Sequence, residues 1–147
     1  MRYVVIGGLA AALYGSSTVT FDVDIVPDST PENSTSLSSA LDELDARIRV
    51  DAIEGGLSFD HDACTLASIE AINLVTNQGD FDITFHPSGV SSFSEWDDHA
   101  GDTEALGVHF RLASLADVIR SKEAAGRPKD QIAVPILREL LKRQQDG

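Results

Sequence analysis

Cysteine and lysine are scarce in this chain of 147 residues, which contains one cysteine and three lysines. Because Cys64 is the only cysteine, an internal disulfide bond is excluded, and we expect this thiol to fill the core rather than to act as a nucleophile. No apolar run approaches the roughly 20 residues that span a bilayer, and no signal-peptide pattern opens the chain. The sequence therefore predicts a cytoplasmic protein that makes no membrane contact.

Negative charge dominates the composition, with a net charge of −13, and it is unevenly spread. The first 110 residues carry −16, whereas the last 37 carry +3. An even distribution would argue against polyanionic partners, but the basic C-terminal segment leaves such a partner open. Aspartate outnumbers glutamate 16 to 8, a balance that is also typical of salt-adapted proteomes and would then reflect the host rather than the function.

Aspartates alternate with apolar residues in the segment Phe21-Asp22-Val23-Asp24-Ile25. Side chains two residues apart on a β-strand project from the same face, and their neighbours project from the other. We therefore expect Asp22 and Asp24 to point together, with Phe21, Val23 and Ile25 buried behind them.

A second strand is predicted over residues 80–86, and its polar side chains also share a face: Asp80, Asp82, Thr84 and His86. If the two strands are neighbours, three or four carboxylates converge. Such a concentration of like charge is unfavourable unless a cation neutralises it. Mg²⁺, or Mn²⁺ in its place, prefers hard oxygen ligands and keeps coordination positions open for substrate phosphates. The pattern thus predicts a divalent-metal site for phosphoryl transfer.

A glycine pair, Gly7 and Gly8, follows a short apolar segment over residues 2–6 that is predicted to be a strand, and it precedes a predicted helix over residues 9–14. Glycines at such a turn let backbone N–H groups approach a phosphate near the helix N-terminus. Taken alone, the pair is explained equally well by a tight packing turn. In combination with the spaced aspartates, it favours the phosphate-binding interpretation.

The order Gly7-Gly8, then Asp22-x-Asp24, then Asp82 resembles the signature of the DNA polymerase beta-like nucleotidyltransferase superfamily. Residues 76–82, Thr-Asn-Gln-Gly-Asp-Phe-Asp, are similar to the hairpin of a small bacterial branch of that superfamily, and residues 122–130 are similar to its C-terminal Lys-x-x-x-x-Arg-x-Lys-Asp element. That branch includes the abortive-infection toxins of type IV toxin–antitoxin systems. The resemblance covers nearly the whole chain.

The resemblance implies an enzyme that moves a nucleoside monophosphate from a nucleoside triphosphate (NTP) to an acceptor hydroxyl and releases pyrophosphate. Asp22, Asp24 and Asp82 would be catalytic residues and ligands of Mg²⁺ or Mn²⁺, and Asp82 would also help to activate the acceptor. The groups that would contact the triphosphate are the backbone of Gly7 and Gly8 and the side chains of Lys122, Arg127 and Lys129. Some of these cations could instead order the C-terminal helices through Asp130.

Several partners stay open at this stage. The acceptor could be a tRNA end, a protein side chain or a small molecule, and the preferred base is undetermined. A cognate antitoxin or a second copy of the chain could also bind.

Two departures from the family pattern favour an alternative function, that of a catalytically weakened nucleotide-binding or regulatory module. Thr18 stands where relatives often carry an arginine four residues before the first aspartate. Relatives also usually carry a helix before the first strand, but here the strand follows Met1 almost at once. Either that helix is lost or the true start lies upstream, and we expect the exposed edge of the first strand to need covering by a partner.

The fold class predicted is α/β (α+β), a nucleotidyltransferase fold with a mixed central β-sheet and helices packed on it. A single domain is expected over residues 1–147, with the sheet and the carboxylates in residues 1–112 and a pair of helices in residues 113–147. Thr30 and Pro31 open a predicted helix that runs to about Arg47. Further strands are predicted over residues 48–53, 71–76 and 107–112, and the strand over 71–76 forms a hairpin with residues 80–86.

The remaining segments are predicted from capping and spacing. Residues 55–63 read as a loop near Glu54, Asp60, His61 and Asp62, where a metal cluster is possible but solvated side chains are the simpler interpretation. Residues 91–99 are predicted to be helical, with Trp96 as a packing anchor. Helices are also predicted over residues 114–126 and 128–144, and Pro135 should kink or split the second of these.

Overall fold

The computed structural model describes residues 1–17 and 20–147. Within these residues the chain forms eight β-strands and six α-helices. The strands are β1 (Tyr3–Ile6), β2 (Asp22–Pro27), β3 (Arg47–Val50), β4 (Ile53–Leu57), β5 (Ala71–Thr76), β6 (Gly79–Thr84), β7 (Gly101–Ala105) and β8 (Val108–Leu112). The helices are α1 (Gly7–Leu13), α2 (Pro31–Glu43), α3 (Ala63–Ala67), α4 (Phe93–His99), α5 (Leu115–Ala125) and α6 (Pro128–Asp146).

All eight strands belong to one mixed sheet in the order β4-β3-β5-β6-β2-β1-β8-β7. Two neighbouring pairs, β2 with β6 and β1 with β8, are parallel, and the other pairs are antiparallel. The central strands β1 and β2 are rich in Val and Ile, which suit a sheet that is covered by helices. The expected mixed central sheet of an α+β fold is therefore confirmed.

The first strand lies inside the sheet, hydrogen-bonded to β2 on one side and to β8 on the other. The expectation that its edge would be exposed and need a partner is therefore wrong. The edges of the sheet are β4 and β7 instead. Local sequence could not reveal this, because the neighbour β8 lies about one hundred residues further along the chain.

The hydrophobic core lies between the sheet and the helices. In α2, Leu37 and Leu41 are fully buried, as their four-residue spacing predicts for one helix face. Trp96 of α4 is also fully buried, which confirms that it is a packing anchor. Thr30 accepts a hydrogen bond from the Asn33 backbone and caps α2, which begins at Pro31 as predicted but ends at Glu43, so that Arg47 lies in β3.

Two local expectations about the middle of the chain are wrong, and one strand was not predicted. Part of the predicted loop over residues 55–63 belongs to β4, and the short helix α3 follows it. The edge strand β7 was not predicted, because its sequence Gly-Asp-Thr-Glu-Ala is polar and forms a strand only through pairing with β8. Cys64 does not fill the core but is exposed on α3.

The C-terminal helices form the expected pair, joined at Gly126, which caps α5 in the left-handed conformation (φ 62°). Ser114 accepts a hydrogen bond from the Asp117 backbone at 3.1 Å at the other end of α5. Helix α6 continues through Pro135, so the possibility that this residue splits the helix is excluded. No helix in the described part of the chain is long and apolar enough to cross a membrane.

Candidate active site

Three carboxylates converge on one face of the sheet at the boundary between β2 and β6. The parallel register pairs Asp22 with Asp80 and Asp24 with Asp82. One carboxylate oxygen each from Asp22, Asp24 and Asp82 lies within 4.8 Å of the others. The sequence alternation thus predicted the convergence correctly. The three residues are partly buried, so the cluster is accessible from one side only.

Asp80 does not join this cluster, although it shares a strand face with Asp82. Its side chain is 41% exposed and pairs with an arginine from another strand. Two apolar neighbours of the cluster also differ from expectation, since Phe21 is 87% exposed and Val23 is 38% exposed, while Ile25 is buried. Burial in β2 begins at Ile25, so only the later residues of this strand reach the core.

Gly7 lies directly against the carboxylate cluster. Its φ of 69° falls in the left-handed region that favours glycine, and a Cβ atom there would lie 2.2 Å from Oδ2 of Asp24. Gly8 faces Thr20, whose Oγ1 would lie 3.0 Å from a Cβ at that position. Helix α1 begins at Gly7, two residues earlier than predicted. The glycine pair therefore lets the start of α1 approach the carboxylates closely.

The cluster carries strongly interacting charges. Burial raises the pKa of Asp82 to about 7, and the hydrogen bond with Asp22 and the charge of Asp24 act in the same direction against the nearby Arg49. Burial and the charge of Asp22 also raise the pKa of Asp24. For Asp22 burial is outweighed by hydrogen bonds with Asp82 and Thr20, which lower its pKa. The three carboxylates therefore influence one another's protonation.

Arg49 of β3 is a site residue that the sequence analysis missed. Its Nη2 donates a hydrogen bond to Oδ1 of Asp82 at 2.7 Å, and its Nη1 lies 3.1 Å from Oδ2 of Asp80. Arg49 reaches β6 across β5, where Nη1 also donates to the Leu74 carbonyl at 3.4 Å. The sequence does show a charged residue, Arg49, within a predicted strand. Assigning it to the site required knowing that β3 lies two strands from β6 in the sheet.

Two cations of the C-terminal element pair with a carboxylate of α6. Nζ of Lys122 lies 3.7 Å from Oδ1 of Asp130, and Nε of Arg127 lies 2.7 Å from Oδ2 of the same carboxylate. Asp130 is almost fully buried, and burial acts to raise its pKa. The hydrogen bond and the charge of Arg127 outweigh burial, so the pKa of Asp130 is lowered. Lys129 is exposed, and its positive charge contributes to the lowered pKa of Asp22 and opposes the rise in the pKa of Asp24.

One pocket of about 670 Å³ connects these groups. Every site residue that the sequence predicted lines it: Gly7, Gly8, Asp22, Asp24, Asp82, Lys122, Arg127 and Lys129. Arg49 and Asp80 also line it. The pocket thus combines the carboxylate cluster with four cationic side chains, an arrangement that can hold a divalent cation together with a phosphate chain.

The histidine of the predicted loop over residues 55–63 does not line this pocket. Nδ1 of His61 lies 2.9 Å from the Ser38 hydroxyl and Nε2 lies 3.3 Å from Asp42, so this histidine fastens the loop after β4 to α2. Within the described part of the chain, the three-aspartate cluster is the group with the geometry of a metal site. Thr18, where relatives often carry an arginine, lies outside the described residues.

Solved structures share this fold. A Thermotoga maritima protein that is provisionally assigned as a nucleotidyltransferase superposes with a TM-score of 0.56 at 17% sequence identity, over 97% of this chain and 83% of that one. The lincomycin-bound lincosamide antibiotic adenylyltransferase LnuA gives a TM-score of 0.58 at 13% identity, over 95% of this chain and 87% of its own. These similarities establish a nucleotidyltransferase fold. No protein-family model matches the chain, and neither does any curated protein sequence.

Proposed function

We propose that this protein transfers a nucleoside monophosphate from an NTP to an acceptor hydroxyl, with release of pyrophosphate. The observation that carries the proposal is the convergence of Asp22, Asp24 and Asp82 within 4.8 Å of one another beside the Gly7 turn. Isolated carboxylates on a strand face are common, but three that share one partly buried site are costly to assemble without a cation to neutralise them.

The donor set fits a hard divalent cation such as Mg²⁺ or Mn²⁺, because all three side chains offer carboxylate oxygen and glycine at position 7 leaves Oδ2 of Asp24 unobstructed. Asp22, Asp24 and Asp82 would hold it. When bound, such a cation neutralises charge on the phosphoryl oxygens and lowers the barrier to displacement.

The residues of the chain supply the remaining requirements of the transfer. The backbone at Gly7 and Gly8 and the side chains of Lys129, Lys122 and Arg127 would bind the triphosphate and orient its α-phosphorus. The acceptor oxygen then bonds to that phosphorus, the bond to pyrophosphate breaks, and the carboxylate of Asp82 accepts the hydroxyl proton. Lys122 and Arg127 also pair with Asp130, so we assign them both a structural role and a binding role.

A small molecule is the acceptor that we favour. The first 110 residues carry a charge of −16, which repels a polyanion such as tRNA from the carboxylate side of the pocket. LnuA, which has the same fold, is by its name an adenylyltransferase of lincosamide antibiotics. A protein side chain remains a second acceptor to test.

Transfer of label from α-phosphate-labelled NTPs tests the proposal. We expect the parent protein, supplied with Mg²⁺ and with a cell extract divided into RNA, protein and small-molecule fractions, to label the small-molecule fraction. Asp24→Asn should abolish labelling, whereas Asp51→Asn, which removes the same charge from the exposed turn after β3, should not. Equal activity of Asp24→Asn and the parent would refute the proposed site. NTP binding without any turnover would instead support a weakened nucleotide-binding or regulatory module.

The role as a toxin is a further part of the proposal, supported by the resemblance of residues 122–130 to the C-terminal element of the toxin branch. Inducible expression in a bacterial host tests it. Growth arrest by the parent but not by Asp24→Asn, reversed by the product of a neighbouring gene, is the result expected of a toxin with a cognate antitoxin. Unimpaired growth at full expression would exclude this role in that host.

A further inference from the structure

The Arg49 guanidinium holds the carboxylate that completes the proposed metal site. It donates a 2.7 Å hydrogen bond to Oδ1 of Asp82 and lies 3.1 Å from Oδ2 of Asp80. The side chain of Asp82 is only 14% exposed, and that of Arg49 is 29% exposed. Charge-assisted hydrogen bonds in such a partly buried setting are among the stronger contacts a side chain makes.

The sheet register explains how a residue two strands away reaches the cluster. Ile48 pairs with Leu74, which brings the next residue of β3, Arg49, beside Asn73 of β5. Asn73 in turn pairs with Asp82, and Asp82 pairs with Asp24. Arg49, Asn73, Asp82 and Asp24 therefore form one row across four strands, with the positive charge at one end and the carboxylates at the other.

A divalent cation and the guanidinium cannot both hold Asp82 without cost. A cation bound to the other carboxylate oxygen of Asp82 would lie close to the Arg49 guanidinium. Two positive charges at so short a distance repel strongly. Asp80 offers Arg49 another partner, since it contacts the same guanidinium but does not belong to the three-carboxylate group.

We propose that Arg49 is an internal counter-ion that competes with the divalent cation for Asp82 and moves onto Asp80 alone when the cation binds. This proposal rests on the metal-dependent transfer proposed above. Arg49 is thereby a positioning residue: it keeps Asp82 paired until a cation arrives and lowers the affinity of the nucleotide-free protein for that cation. Asp80 acts through Arg49, because its carboxylate is the partner that the guanidinium keeps when it leaves Asp82.

Calorimetric titration of MnCl₂ into nucleotide-free protein tests this competition without depending on activity. We expect Arg49→Gln to bind Mn²⁺ roughly tenfold more tightly than the parent, because a charge-assisted contact no longer has to be broken. Arg47→Gln is the matched control, since it removes the same charge from the same strand. The Arg47 guanidinium contacts the Gly55 and Gly56 carbonyls and the Ser58 hydroxyl, away from the cluster. Its Mn²⁺ affinity should stay close to that of the parent.

A double-mutant cycle separates this mechanism from simple charge addition. Asp80→Asn should weaken Mn²⁺ binding in the parent because Asp82 is then the one carboxylate that Arg49 contacts, but it should change the affinity little in an Arg49→Gln background. Should Arg49→Gln fail to fold, Arg49→Lys provides the same comparison, because an ammonium group cannot bond both carboxylates in a fork. We expect it to tighten binding by about threefold.

The outcomes distinguish this proposal from the proposed function. Tighter Mn²⁺ binding by Arg49→Gln, with an Asp80 effect that disappears in that background, supports the competition. Unchanged or weaker binding by Arg49→Gln, or an Asp80 effect of equal size in both backgrounds, overturns it while leaving the metal site of the parent intact. If neither the parent nor Arg49→Gln binds Mn²⁺, both the competition and the proposed metal site are wrong.

Discussion

Replacing Gly7 by alanine is a direct perturbation of the contact between the start of α1 and the carboxylate cluster. The backbone there has φ 69°, and placing an L-residue in this conformation costs about 1–2 kcal/mol. The new Cβ would also lie 2.2 Å from Oδ2 and 2.9 Å from Cγ of Asp24, so that the carboxylate must rotate away. We expect Gly7→Ala to lower the free energy of unfolding by about 2–3 kcal/mol and to weaken Mn²⁺ binding at least tenfold, because one of three ligands is displaced.

Gly55→Ala separates the backbone strain from the clash. Gly55 has a similar φ of 79°, but a Cβ there meets no atom within 4 Å. Chemical denaturation should show a loss of about 1 kcal/mol for this variant, and calorimetry should show unchanged Mn²⁺ affinity. Combining Gly7→Ala with Asp24→Ala should recover part of the stability, because the clashing oxygen is gone. If Gly7→Ala resembles Gly55→Ala in both measurements, Gly7 does not position the cluster.

Three further predictions concern the carboxylates and the C-terminal cations. At saturating Mg²⁺, Asp82→Asn should lower nucleotide transfer by roughly a hundredfold or more, whereas Asp80→Asn should cost less than tenfold; the opposite ranking in a transfer assay would reassign the site. Asp130→Asn should lower the free energy of unfolding by about 2 kcal/mol at neutral pH. Because the pKa of Asp130 is lowered in the folded state, its contribution is complete above the ordinary carboxyl pKa and disappears as the pH falls through the lowered value. The difference between parent and variant should therefore shrink in an acid denaturation series as the pH falls below the ordinary carboxyl pKa, and a pH-independent difference would exclude this origin. Lys129→Gln should raise KM for NTP roughly tenfold without changing the melting temperature, and Arg138→Gln, late on α6, should leave KM unchanged.

The strand faces of the site carboxylates were predictable because they follow from local geometry, whereas the convergence of Asp82 with Asp22 and Asp24 also requires β6 to lie beside β2. A period of two places Asp22 with Asp24 and Asp80 with Asp82 on one strand face, whatever the rest of the fold does. The glycine pair was predictable for the same reason, since a turn between a strand and a helix needs residues that tolerate close approach.

The contribution of Arg49 was not predictable, because it depends on the order of strands in the sheet. β3 is adjacent to β5 rather than to β2, and no local pattern in the sequence encodes that arrangement. The exposure of Phe21 and of Cys64 was missed for a related reason. Alternation shows which face a side chain occupies, but only tertiary packing determines whether another element covers that face.

The most direct test of the central claim is the crystal structure of the protein with Mn²⁺ and an NTP analogue that cannot be cleaved between the α- and β-phosphates. Anomalous diffraction locates the metal independently of the surrounding atoms. We expect a Mn²⁺ peak in contact with the carboxylates of Asp22, Asp24 and Asp82, with the triphosphate between this peak and Lys129. Mn²⁺ and nucleotide bound elsewhere, with the three carboxylates making no contact to metal, would contradict the account.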